Sequence, residues 1–249
     1  MTDHQAVTLL AVESSAGPAS CAVLRLENGK EQVLCSAMVN NRLTHSQTLL
    51  PMIHDMLKNA NLSLADITHL AVAVGPGSFT GVRIGVAAVK GLAFPDNLPC
   101  VAVSTLAGMA HRFDEFPYTG LLVPAMDARC QQVYTALFRS KNGAVSRLSG
   151  DEALPIAELA ERLKTQEDPI MVVGDGAELC VATLQAMGVS AILAPVGLRY
   201  QHAIGIAREA MRMVSEGIVI SGEELLPAYL RLPQAERELR LKQEKASEK

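Results

Sequence analysis

The order of hydrophobic patterns along the first hundred residues constrains the fold of this chain more than any other feature. Thr8 to Val12, Ala19 to Leu26 and Gln32 to Val39 are short apolar runs, and Glu27-Asn28-Gly29-Lys30 between the last two is a turn sequence. They read as three strands, the last two a hairpin. From His45 to Asn59 the period lengthens: Leu49, Leu50, Ile53, Met56 and Leu57 share a stripe, with His54, Asp55, Lys58 and Asn59 opposite. That is an amphipathic helix. Pro51 lies inside it, so the helix either begins near Leu50 or kinks there, because proline lacks the donor and crowds the preceding turn. Leu70 to Val74 reads as a buried strand, Ser78 as the cap of a helix from Phe79 to about Ala93, and Cys100 to Val103 as one more strand.

The resulting order, β-β-β-α-β-α-β, matches the ribonuclease-H-like half domain from which actin-like ATPases are built by duplication. The second half repeats it loosely. Strands are expected at Leu121 to Ala125, Val133 to Phe138, Val145 to Leu148, Ile170 to Val173 and Ala191 to Leu193, and helices at Pro155 to Lys164, Glu178 to Met187 and Gln201 to Ser215. The expected fold is α/β and two-lobed, with an N-terminal lobe over 1–104, a reduced C-terminal lobe over 105–232 and a charged, solvated tail over 233–249.

Bulk properties narrow the function. Charged residues make up 19% and the net charge is −4, so the chain lacks the basic excess of a protein that grips phosphate backbones alone. The run Ala6 to Val12 has no preceding lysines and is followed by Glu13, unlike a signal peptide. The apolar stretch Val82 to Phe94 is interrupted by Arg83 and Lys90 and is too short to span a bilayer. Five scattered cysteines without a C-x-x-C pair suit reduced thiols, and the expected location is the cytoplasm.

Chemistry has few places to sit. Gly75-Pro76-Gly77 and Gly81 follow neither G-x-G-x-x-G nor P-loop spacing, and Pro76 removes a donor that a phosphate cradle would use. Gly81 and Gly85 share a helix face, which points instead to close packing against another helix, within the chain or across a dimer. There is no G-x-S-x-G, H-E-x-x-H or H-x-x-x-H, and the six histidines are scattered, so no metal site is expected. Glu13-Ser14-Ser15 stands where an actin-like ATPase needs its first-strand acid and hydroxyls. Pro18 subtracts a donor from that loop, so it reads as a vestigial nucleotide loop with Glu13 in a structural role.

Leu10 to Ser15, His45-Ser46-Gln47 with Leu49 to Met52, Gly75 to Phe94, Val101 to Leu106, Ala125 to Arg129, Gly174-Asp175-Gly176 and Pro227 to Arg231 together resemble the TsaB (YeaZ) family over essentially the whole chain. The resemblance implies a non-catalytic scaffold or activator of TsaD, the enzyme that transfers threonylcarbamoyl from its adenylate to the tRNA adenosine beside the anticodon. It further implies a homodimer when the chain is alone, a complex that includes the TsaE ATPase, tRNA contacted mainly through TsaD, and ATP and metal used by the partners rather than bound by this chain. The partner interface it implies is the two N-terminal-lobe helices, with His45, Leu49, Leu50, Ile53, Met56, Leu57, Phe79, Gly81, Val82, Gly85, Val86 and Val89 as its residues. On that reading Gly85→Arg or Gly81→Leu breaks docking while the isolated fold survives. Where TsaD carries a metal-binding histidine pair, Ser104 to Met109 offers threonine and methionine. The alternative is an actin-like-fold phosphotransferase or a peptidase-like enzyme acting alone.

Overall fold

A computed structural model describes residues 6–41 and 43–231; the expected tail over 233–249 lies outside the described residues. The first sheet runs β3-β2-β1-β4-β5, from β1 (Val7–Glu13), β2 (Ala19–Glu27), β3 (Lys30–Val39), β4 (His69–Gly75) and β5 (Cys100–Ser104). β1, β2 and β3 pair antiparallel, then β4 and β5 add in parallel. The β2–β3 turn places Asn28 and Gly29 at φ 51° and 74°, the two positive values that a two-residue hairpin of matching twist requires. Helix α1 (His45–Asn59) links β3 to β4 and continues without a break through Pro51, while α2 (Phe79–Ala93) links β4 to β5.

The second sheet repeats the order around β6 (Gly120–Asp127). What the sequence offered as one strand from Val133 to Phe138 is two, β7 (Gln132–Thr135) and β8 (Phe138–Lys141). β7 pairs with the end of β6 and β8 with its start, so the break at Ala136-Leu137 lets one run serve both halves of a long strand. β9 (Ala144–Arg147) and β10 (Glu152–Pro155) extend the two pieces in turn, and β11 (Ile170–Val173) and β12 (Ile192–Leu193) complete the parallel side. Helices α4 (Ile156–Leu163) and α5 (Ala177–Ala186) cover one face of this sheet.

The halves are locked by exchanging helices. α3 (Thr105–His111) follows the first sheet but packs with Leu122, Met126 and Phe138 of the second. A one-turn helix, α6 (Val196–Arg199), precedes α7 (Ala203–Ser215), which follows the second sheet yet buries Ala203, Ile206, Ala207 and Ala210 on the first. Residues 203–215 of the expected 105–232 lobe therefore pack on the first sheet. The sheet face under α7 carries Ala11, Ala22, Ala71 and Ala73 among Leu9, Leu24, Val101 and Val103. α7 crosses α3 glycine on glycine, because a Cβ at Gly205 would collide with the Gly108 carbonyl oxygen. The opposite face carries the larger Leu10, Val12, Leu70 and Val72 under α1 and α2.

Candidate functional site

The parallel ends of both sheets open on one cleft of about 540 Å³ between the lobes. The duplication places like parts on either side of it. At the end of β1, Glu13 Oε1 accepts the Ser15 N–H at 2.6 Å; at the end of β6, Asp127 Oδ1 accepts the Arg129 N–H at 2.7 Å. At the ends of β4 and β11, Gly75 and Gly174 hold φ of 121° and 122°. Each half thus ends its first strand on an acid that clasps its own loop, and its fourth on a glycine that only a residue without a side chain fits.

Glu13 is sealed in. It is 1% exposed, with Oε2 unpartnered, and burial pushes its carboxyl up to about 7 against the downward pull of its hydrogen bonds to Ser15. Asp175, whose charge also raises Glu13, is itself raised, chiefly by desolvation, and accepts Gln201 Nε2 at 2.9 Å. Ser14 donates its hydroxyl to the Gly81 carbonyl at 2.9 Å, and Ser15 O accepts the Ser78 N–H at 2.7 Å. The Ser14-Ser15 loop is therefore bound to the start of α2.

That contact corrects the expected role of the α2 glycines. A Cβ at Gly81 would collide with Ser14 O and one at Gly85 with Ser14 Oγ, so the close approach is between α2 and the β1 loop, not between two helices. The expected interface residues divide accordingly. Leu49, Ile53, Met56, Leu57, Val82, Val86 and Val89 lie in the chain's own core with Gly81 and Gly85 buried beside them, so these nine face inward and offer no side chain to a partner. His45 is half-buried, its Nε2 2.7 Å from Ala16 O, and Phe79 stacks on Tyr229 with centroids 5.0 Å apart. Leu50 alone among the apolar α1 residues of that set is exposed, at 49%. On the outer side of the helix pair Leu50, Ala87 and Gly91 are exposed, while Ile84, Ala88 and Leu92 are half-buried against the core. Gly85→Arg and Gly81→Leu would consequently disrupt the fold itself.

Three cleft residues carried no site role in the sequence reading: Asp127, Asp175 and Arg231. The signal that finds the two aspartates is the internal repeat, Glu13-Ser14-Ser15 against Asp127-Ala128-Arg129 and Gly75-Pro76-Gly77 against Gly174-Asp175-Gly176. Arg231 ends a strap that crosses from lobe to lobe. Lys90 Nζ holds it at the Glu223 and Leu225 carbonyls, the Ala228 N–H donates to Val74 O at 2.7 Å, and Arg231 Nη1 donates to Ala128 O at 3.2 Å.

Two ribonuclease-H-like sheets of order 3-2-1-4-5, exchanging their last helices around a shared cleft, define an actin-like ATPase fold. The family described as TsaD, tRNA N6-adenosine threonylcarbamoyltransferase, matches residues 40–237. The Bacillus subtilis tRNA threonylcarbamoyladenosine biosynthesis protein TsaB is 32% identical over 92% of this chain and 96% of its own length, and the Escherichia coli TsaB is 33% identical over 75% and 80%. YeaZ from Pseudomonas aeruginosa superposes with a TM-score of 0.75 at 30% identity, over 90% of this chain and all of that one. The Acidaminococcus fermentans (R)-2-hydroxyglutaryl-CoA dehydratase component A, at 13% identity and TM-score 0.50 over 84% of this chain and 99% of that one, shares the fold alone. The chain belongs to the TsaB (YeaZ) family of tRNA threonylcarbamoyladenosine biosynthesis proteins. Among the described residues no helix is long and apolar enough to cross a membrane.

Proposed function

We propose that this chain is a non-catalytic scaffold for a TsaD-type transferase, docking on it through the outer face of α1 and α2 and holding it active for threonylcarbamoyl transfer to tRNA. The observation that carries this reading is how the cleft's acids are used. Glu13 is buried and clasps Ser15, Asp127 clasps Arg129, and Asp175 holds Gln201, so each of these acids has one oxygen tied to its own chain in a structural bond. The family match to the transferase itself supports a surface built to pair with a related subunit. Small residues at Ala87, Ala88 and Gly91, flanked by Leu50, Ile84 and Leu92, let a partner helix approach closely. Alone, two copies pair through the same face; TsaE joins the complex, tRNA is held mainly by TsaD, ATP and metal are handled by the partners, and the assembly works in the cytoplasm.

The test is reconstitution of TsaD, TsaE, this chain and TsaC, the enzyme that makes the threonylcarbamoyl adenylate, with threonine, bicarbonate, ATP and tRNA, omitting one component at a time and quantifying the modified nucleoside by mass spectrometry. Product is expected to vanish without this chain. Leu50→Glu with Ala87→Arg, both at exposed positions where substitutions cost within about 0.5 kcal/mol, is expected to abolish copurification with TsaD at an unchanged melting temperature. Full product without the chain, or normal copurification of the double variant, would overturn the reading.

A further inference from the structure

Arg83 is a cation held still on an open surface. Its guanidinium carbon lies 3.8 Å from the Phe79 ring centroid and 5.8 Å from that of Tyr229, and its Nε donates to the Tyr229 hydroxyl at 2.7 Å. Phe79 and Tyr229 are themselves stacked, so α2 and the strap fix the side chain from two sides. Arg83 is nevertheless exposed, and among the described residues no carboxylate pairs with it, whereas Arg162, Arg208 and Arg212 each meet two. The rotamer freedom that an arginine gives up on binding is already given up here, and the Nη donors stay open to an anion.

The surroundings select that anion. On α2, Ala87 and Gly91 continue the exposed stripe one and two turns beyond Arg83. On the strap, which runs beside α2 between its contacts to Arg83 and to Lys90, Leu226 is 68% exposed. Lys90 spends Nζ on the Glu223 and Leu225 carbonyls, and Glu223 and Glu224 are exposed in the same stretch. One open guanidinium among apolar and acidic residues does not suit a nucleic-acid backbone, which takes several cations. It suits a single carboxylate on an apolar protein surface.

We propose that the docking face runs past α2 onto the strap and that Arg83 is its charged anchor, pairing through its Nη atoms with an aspartate or glutamate of the TsaD-type subunit, while Tyr229 and Leu226 lie against that subunit's apolar surface. This rests on docking through the outer face of α1 and α2. Arg83 shares a stripe with Ala87, so a subunit seated over Ala87 also covers the helix turn of Arg83. A guanidinium covered without a partner would oppose docking, so the surface that covers it supplies the acid. Arginine and tyrosine fixed within an apolar patch are the residue types on which an interface's affinity concentrates.

The test is the affinity of the full chain for TsaD, measured by calorimetry in low and in high salt. Parental binding is expected to weaken in high salt, as a charge pair at an interface is screened. Arg83→Met keeps an unbranched stem on the Phe79 ring and is expected to bind about thirtyfold more weakly in low salt, with a smaller salt dependence and an unchanged melting temperature. Tyr229→Phe keeps the stack but drops the hydroxyl that orients Nε, and is expected to weaken binding severalfold with the salt dependence retained. Lys141→Met removes an exposed cation from β8 and is expected to bind as the parent does. Parental affinity or undiminished salt dependence in Arg83→Met, or an equal loss in Lys141→Met, would overturn the proposal and leave docking through α1 and α2 standing, because Leu50→Glu with Ala87→Arg tests that separately. A parental chain that does not bind TsaD would overturn both.

Discussion

Gly81 and Gly91 stand on one helix and meet opposite surroundings, which makes a matched pair of alanine substitutions a direct test of how α2 is seated. At Gly91 an added Cβ meets nothing within 4 Å. There alanine recovers helix propensity and should stabilise the protein by about 0.5 to 1 kcal/mol. At Gly81 the same methyl group would collide with Ser14 O and lie 3.4 Å from His45 Cδ2. Since non-bonded heavy atoms rest at roughly 3.5 Å, α2 or the β1 loop must move by an appreciable part of an ångström. The atom in the way is backbone, held by the Ser15 N–H to Glu13 bond and the Ser14 hydroxyl to Gly81 O bond, so it cannot swing aside as a side-chain tip would. Overpacking of this kind costs about 1 to 3 kcal/mol, from which the propensity gain subtracts. The two variants should therefore differ by about 1 to 3 kcal/mol in opposite directions from the parent, or several degrees in melting temperature at this chain length. Urea denaturation followed by far-ultraviolet circular dichroism measures it. If Gly81→Ala proves as stable as Gly91→Ala, α2 does not rest on the β1 loop and the account of the site is wrong.

Two further outcomes follow from buried ionisable groups. Glu13, raised from 4.5 to about 7 mainly by burial, is more protonated when folded, so its contribution is fully present below pH 4.5 and is lost as pH rises through 7. Glu13→Gln, which still accepts the Ser15 N–H, should be the more stable protein above pH 7 by as much as about 3 kcal/mol, an advantage that shrinks to nothing near pH 4.5; parallel pH profiles of the two proteins would sink this. Burial holds Cys21 and Cys180 up at about 12 and Cys100 at about 11, whereas Cys130 is exposed. A maleimide should label Cys130 first and those three only after denaturation, as peptide mass spectrometry will show.

The first lobe was legible because each of its elements alternates or cycles by itself: α1 and α2 occupy His45–Asn59 and Phe79–Ala93, as their stripes and the Ser78 cap imply. α3 was not legible, since all seven of its residues are buried and a helix apolar all round has no period to read. β10 went unread because Glu152–Pro155 is a four-residue edge piece recognisable only by its pairing with β7. The expected interface residues are mostly core for a more general reason. Periodicity finds the apolar stripe of a helix but not what the stripe faces, and a helix laid on its own sheet spends its largest residues there. Leu49, Ile53 and Val86 announce themselves in sequence and are core, whereas Ala87 and Gly91 carry no periodic signal and are exposed.

The position of that outer surface is set by the loop that looked like a lost nucleotide site. Glu13 shapes Ser14 and Ser15 by holding the Ser15 N–H; Ser14 and Ser15 fix the start of α2 through the Gly81 carbonyl and the Ser78 N–H; and the missing side chains at Gly81 and Gly85 let α2 lie flush on them. Ile84 and Ala87 project from the far side of the same helix turns. An acid placed where an actin-like ATPase has its first-strand acid thus positions the outer face of α2, the face proposed for docking, and substitutions can separate the two roles. Glu13→Gln keeps the acceptor and so keeps the seat of α2, and it should copurify with TsaD as the parent does. Gly81→Ala displaces the seat and should weaken copurification even at temperatures where it remains folded. If Glu13→Gln instead abolishes threonylcarbamoyladenosine formation in the reconstituted reaction while docking is intact, the carboxyl itself is at work, and the non-catalytic reading fails at that residue.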